Sequence, residues 1–119
     1  MKLITAIIRP EKLDELAGIM IDNRAHGMTV TEVRGFGRQF GHLAAGKVDA
    51  DLGLPEGRKA ALLPKLRLDI VVLDEAADAI VEAIAKHART DTIGDGKIWV
   101  STVDSAMRIR TGERDRGAV

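Results

Sequence analysis

Hydrophobic spacing in this chain switches between strand-like and helix-like periods in a fixed order, and that order leaves few folds open. Leu3 to Ile8 is an apolar, β-branched run stopped by Arg9-Pro10, which reads as a buried strand. From Glu11 the period becomes helical. Leu13, Leu16, Ala17 and Met20 fall on one face, with Glu11, Lys12, Asp14, Glu15 and Asp22 mostly off it. Gly27 closes the connection, and Met28 to Arg34 alternates apolar with polar residues, predicting a second strand with one face in the core. A third strand is expected over Leu66 to Val72. Asp74 then caps a helix in which Ala77, Ile80, Val81, Ile84, Ala85 and Ala88 share a face, and a last strand starts at Lys97. Two β-α-β halves in one sheet, with both helices on one face, give an α+β, ferredoxin-like βαββαβ sandwich. At 119 residues the chain forms a single domain over 1–119.

Between the second and third strands the sheet pattern lapses. Gly35-Phe36-Gly37-Arg38-Gln39-Phe40-Gly41-His42 breaks the strand with three glycines, and residues 43–55 follow neither period. A gap of this size between paired strands is uncommon unless it is functional. Glu56 to Leu63 reads as a short helix formed on docking, and the apolar content of the loop suggests a protein partner.

The last third carries the chemistry. In Thr92-Ile93-Gly94-Asp95-Gly96-Lys97 two glycines flank an acid and lead into a lysine, so backbone amides can approach an oxyanion with no Cβ in the way. A lone Gly-Asp-Gly is usually an ordinary turn. Here Ile98-Trp99-Val100 follows at once and makes Lys97 the first residue of a strand, which fixes its direction. Arg108 and Arg110 sit at i and i+2, where an extended backbone turns both side chains the same way. Together these residues point to a small polyanion. Trp99 reads as a core or inter-subunit anchor.

Composition narrows the choice. Lysine plus arginine equals aspartate plus glutamate, 18 each, so no overall field draws the chain to nucleic acid or an anionic membrane. The only aromatics are Phe36, Phe40 and Trp99, too few for a base-stacking platform. There is no cysteine, which removes disulfides and thiolate metal sites, and His26, His42 and His87 lack ligand spacing. The opening residues lack a signal pattern and no run reaches membrane-spanning length, so a cytoplasmic location without membrane insertion is expected. No residue is plainly placed as a general base, which argues against an enzyme, a weak ATPase included.

Several long motifs, in order, closely resemble the PII signal-transduction proteins, the nitrogen regulators also called GlnB and GlnK. They are Ile7-Ile8-Arg9-Pro10 with Lys12-Leu13, Gly27 through Gln39 with Gly41-His42, Leu63-Pro64-Lys65, Ile93 through Ile98, and Arg108 through Glu113. The resemblance implies a homotrimer binding ATP or ADP, with AMP also possible, in clefts between subunits. It makes residues 89–97 a B-loop whose Thr90, Gly94, Asp95, Gly96 and Lys97 wrap the phosphates. Arg108 and Arg110, in a C-terminal segment over 105–119, would close the cleft. Thr29 and the backbone near Val71 would hold the adenine, and Gly35, Gly37 and Arg38 would reach the nucleotide from the base of a T-loop over 37–63. Gln39 matches a residue that helps hold Mg²⁺, and Lys65 one that pairs with 2-oxoglutarate. The implied target is a membrane transporter or a metabolic enzyme.

The chain also departs from that pattern. It has no tyrosine, and Phe40 to Leu63 holds no serine or threonine, so covalent hydroxyl modification of this loop is excluded by its chemistry. Asp91-Thr92 stands where the family has Gly-Lys, which predicts altered nucleotide preference. Asp69 replaces a glutamate that in the family faces the B-loop lysine. These departures favour a second reading, a PII-like sensor of ADP or AMP with bicarbonate or another small anion, linked to inorganic-carbon uptake.

Overall fold

The computed structural model describes residues 1–23, 25–36 and 62–119. Strand β1 (Lys2–Ile8) is followed by a 3₁₀ turn (Pro10–Lys12) and helix α1 (Leu13–Asp22), then β2 (Thr29–Gly35). After the long loop come β3 (Leu63–Val72), α2 (Asp74–Ala88) and β4 (Lys97–Thr102). The strands form one antiparallel sheet in the order β2-β3-β1-β4, which is the ferredoxin-like topology expected from the sequence.

The turn after β1 is set by Pro10, which sits at the first turn of the 3₁₀ segment, where a missing N–H costs nothing, while Arg9 stays extended ahead of it. Alternation then decides which face of the sheet is covered. Ile4, Ala6 and Ile8 of β1 stand opposite Ile70, Leu68 and Leu66 of β3, and all six are buried. Against them pack Leu16 and Met20 of α1 and Ala77, Ile80, Ile84 and Ala88 of α2. His87 and Glu15 join the two helices at 2.8 Å.

Several expectations are corrected. Leu73, not Asp74, occupies the N-cap, and it makes no side-chain cap. Asp74 is the first helical residue, and its carboxylate takes the Met1 ammonium at 2.9 Å, still the favourable end of the helix dipole for an acid. No residue of β2 is buried, because β2 is an edge strand beyond the reach of the core; Met28, just before it, packs there instead. β3 begins at Leu63, three residues before the expected start, and Pro64 is tolerated at its first turn of pairing. Of the short helix expected over Glu56 to Leu63, residues up to 61 lie outside the described residues and Leu63 belongs to β3.

Trp99 is not in the core. Its register opposite Thr5 puts it on the sheet face turned away from the helices, where it is 41% exposed. Thr5 on that same face is fully buried and donates to Asp69 Oδ1 at 2.8 Å, and Arg67 Nε holds Asp69 Oδ2 at 2.9 Å. The Arg67 hydrogen bond is the main cause of Asp69's carboxyl being held below its ordinary range, with Thr5 adding to it. One face is thus packed by helices, and the other is a bare surface of mixed chemistry.

Ile84 is fully buried at the centre of the helix layer. Ile84→Ala is expected to lower stability by about 2–5 kcal/mol in chemical denaturation, the range for deleting a core aliphatic side chain.

Candidate functional site

The segment joining α2 to β4 is shaped by backbone conformations that few residues adopt. Gly94 and Gly96 have φ of 107° and 96°, and Asp91 lies in the left-handed region at 62°. At Gly96 a Cβ would stand 1.7 Å from the Ile7 carbonyl oxygen, so glycine alone lets β4 start against β1 at this point.

Asp95 ties the segment into a loop. Its carboxylate accepts from the Thr90 amide at 2.7 Å, from the Thr90 hydroxyl, and from Arg9 Nε at 3.0 Å. Thr90 also shares a hydrogen bond with the Thr92 hydroxyl at 2.6 Å. These donors, the Thr90 hydroxyl first, hold the Asp95 carboxyl far below its ordinary value.

Two cations from the sheet then seize the loop's carbonyls. Arg9 Nη2 donates to Ile93 O and to Thr92 Oγ1, both at 2.9 Å, and Lys65 Nζ donates to Gly94 O at 2.6 Å. Burial, and after it the charge of Arg9, pulls the Lys65 ammonium below its usual value, while Glu11 and Asp95 oppose that shift. Because a peptide unit is planar and trans, its N–H points opposite its C=O. The amides of Gly94 and Asp95 are therefore directed away from Arg9 and Lys65, as an anion-binding concavity requires. Lys97, exposed, begins β4 opposite Ile7. A cavity of about 260 Å³ lies at the base of this loop, bordered by Ile7, Ile8, Arg89, Asp95, Gly96 and Lys97.

The structure thus gathers Thr90, Gly94, Asp95, Gly96, Lys97 and Lys65 in one place. Thr29 opens β2 opposite Asp69, and Val71, two residues beyond Asp69, shares the bare sheet face with it. Gly35 ends β2 opposite Leu63. Gly37, Arg38 and Gln39 lie outside the described residues, and among those described no cluster of acids and histidines could hold a metal ion.

Arg108 and Arg110 are not on an extended stretch. Met107 bridges to Arg114, and the residues between form a turn closed by Gly112 N to Arg108 O at 2.8 Å and Arg108 N to Glu113 O at 2.9 Å. Gly112, at φ 72°, permits that reversal, and Arg108 pairs with Glu113 at 3.3 Å within the turn. The i, i+2 rule for side-chain direction fails here because the backbone is bent. Ile109 at the tip is 97% exposed.

Arg9 is the site residue that sequence reasoning missed. It falls one residue past the Ile8–Leu66 pair, beside Lys65, a juxtaposition that depends on register. Its one signal in the sequence is a cation placed between an apolar strand and a proline.

A family model described as nitrogen regulatory protein P-II matches residues 1–113. The chain belongs to the P-II family. Over 121 aligned residues it is 50% identical to nitrogen regulatory protein P-II 2 of Methanothermobacter thermautotrophicus, covering all of this chain and 97% of that one. It is 45% identical to nitrogen regulatory protein P-II of Rhizobium etli and 40% identical to nitrogen regulatory protein GlnK of Escherichia coli K12, each over the full length of both chains. The relatives of this P-II family member are thus named as regulators. Among the described residues no helix is long and apolar enough to cross a membrane.

Gly96→Ala is expected to lower stability by about 2 kcal/mol or more in thermal melting, since it adds left-handed strain to a backbone collision. Asp95 makes a separate, pH-dependent contribution. A carboxyl depressed in the folded state stabilises fully above its unfolded pKa, so the benefit is lost as pH falls below about 4. Denaturation midpoints measured against pH should therefore fall more steeply in acid for the native chain than for Asp95→Asn.

Proposed function

We propose that this P-II family member is a non-enzymatic, cytoplasmic sensor of adenine nucleotides, binding ATP or ADP between the subunits of a homotrimer. The observation that carries this reading is the outward direction of the Gly94 and Asp95 amides beside Lys97, an arrangement suited to phosphate oxygens. Lys97 supplies the charge. Arg108 and Arg110 close the cleft from their turn, and Thr29 with the backbone near Val71 receives the base. Trp99, Val71, Phe36 and Ile109 support assembly, since a lone subunit leaves these large apolar side chains exposed.

The loop over 37–63 is the output, docking on a membrane transporter or a metabolic enzyme. Gln39 would help hold Mg²⁺, which would supply positive charge against the phosphates. Lys65 would take a carboxylate of 2-oxoglutarate, because an ammonium has three donors and Gly94 O engages one. A second reading, ADP or AMP with bicarbonate, is favoured by the Asp91 carboxylate at the loop, which opposes a highly charged ligand. Calorimetric titration with ATP, Mg²⁺ and 2-oxoglutarate, against ADP or AMP with bicarbonate, separates the two; tightening by 2-oxoglutarate supports the first.

Lys97→Ala and Arg110→Ala should each weaken nucleotide binding by about 1.5–3 kcal/mol, the scale of a charged hydrogen bond. Unchanged affinity in both variants, or a monomer in sedimentation, would contradict the reading.

A further inference from the structure

Asp91 is the loop residue that the anion site does not explain. Thr90 and Thr92 on either side are turned inward by Asp95 and Arg9, so the chain must reverse between them, and Asp91 does so at φ 62°. Its carboxylate meets Arg89 Nε in an ion pair whose side chains are 72% and 71% exposed. Arg89 itself borders the cavity shared by Asp95, Gly96 and Lys97. An ion pair this exposed contributes little to stability, and Arg9, Asp95 and Lys65 already hold the loop. A second cation therefore stands beside the anion site with its charge locally cancelled.

We propose that Asp91 is a specificity-determining residue of this site: it occupies Arg89 where a ligand phosphate otherwise would, and so penalises the more highly charged nucleotide. The inference rests on the nucleotide reading above. When a phosphate chain enters, Arg89 exchanges the Asp91 carboxylate for phosphate oxygen, and the released carboxylate repels the ligand. Both effects grow with phosphate charge, so ATP is disfavoured relative to ADP. Both also fade with salt, because the groups are solvated.

The test is calorimetric titration of the full-length protein with ADP and with ATP, each without added metal, at low and high ionic strength. Asp91→Asn keeps a residue that tolerates the left-handed region while removing the charge. It is expected to tighten ADP binding by about fivefold, the effect of one exposed charge, and ATP binding by more. High salt should shrink that gain, and Arg89→Ala added to Asp91→Asn should abolish it. Asp91→Gly serves as the backbone control. Tightening in Asp91→Gly but not in Asp91→Asn assigns the effect to backbone strain and overturns the proposal, as does native binding that Asp91→Asn leaves unchanged. A folded native protein that binds neither nucleotide overturns the nucleotide reading itself.

Discussion

Arg9 fastens the end of β1 to the glycine loop through Asp95, Thr92 and the Ile93 carbonyl, and the rest of the site depends on that attachment. β1 is an inner strand with β3 on one side and β4 on the other, so a residue just past its end lies between those that begin β3 and β4. Lys65 and Lys97 arrive there for that reason. Arg9 and Lys65 repel one another at this distance, and the Lys65 pKa is lowered by burial first and then by the charge of Arg9. The Asp95 carboxylate offsets that repulsion from within the loop. What remains is a segment in which the Ile93 and Gly94 carbonyls are bound by Arg9 and Lys65 and the amides of Gly94 and Asp95 point away from those cations.

Asp69 and Thr92 are held by separate partners. Thr92, in the glycine loop, accepts from Arg9. Asp69 is bound to Arg67 and Thr5 on the bare sheet face. The loop is tied to the end of β1 through Arg9, while Asp69 is held within the sheet.

Periodicity made the strands and α2 legible, because burial on one side imposes a repeat that a single sequence displays. The glycine loop was legible for a different reason: Gly96 meets a backbone oxygen that no other residue tolerates. The same reasoning left Trp99 open between the core and an inter-subunit anchor, of which its exposure removes the first, and overestimated the burial of β2. An alternating or apolar run shows that a strand has two faces, but which strand lies at the edge is settled by pairing between distant segments. Arg108 and Arg110 were misjudged because Gly112, four residues past the first, bends their backbone into a turn. Arg9 was hidden most deeply, since its role comes from standing beside Lys65 across two strands.

That juxtaposition also shortens the path between the anion loop and the segment that connects β2 to β3. Gly35 and Leu63 pair at the base of that segment, and Lys65 stands only two residues further along β3. The same ammonium holds the Gly94 carbonyl. Any ligand that draws Lys65 toward itself loosens the peptide whose N–H faces outward from Asp95, and any change in that peptide alters what Lys65 can bind. Linkage makes the dependence mutual: whatever free energy the loop ligand contributes to the position of Lys65, a ligand at Lys65 returns to the loop. On the proposed reading, coupling between the two ligands requires no long relay through the core, since Lys65 would serve both.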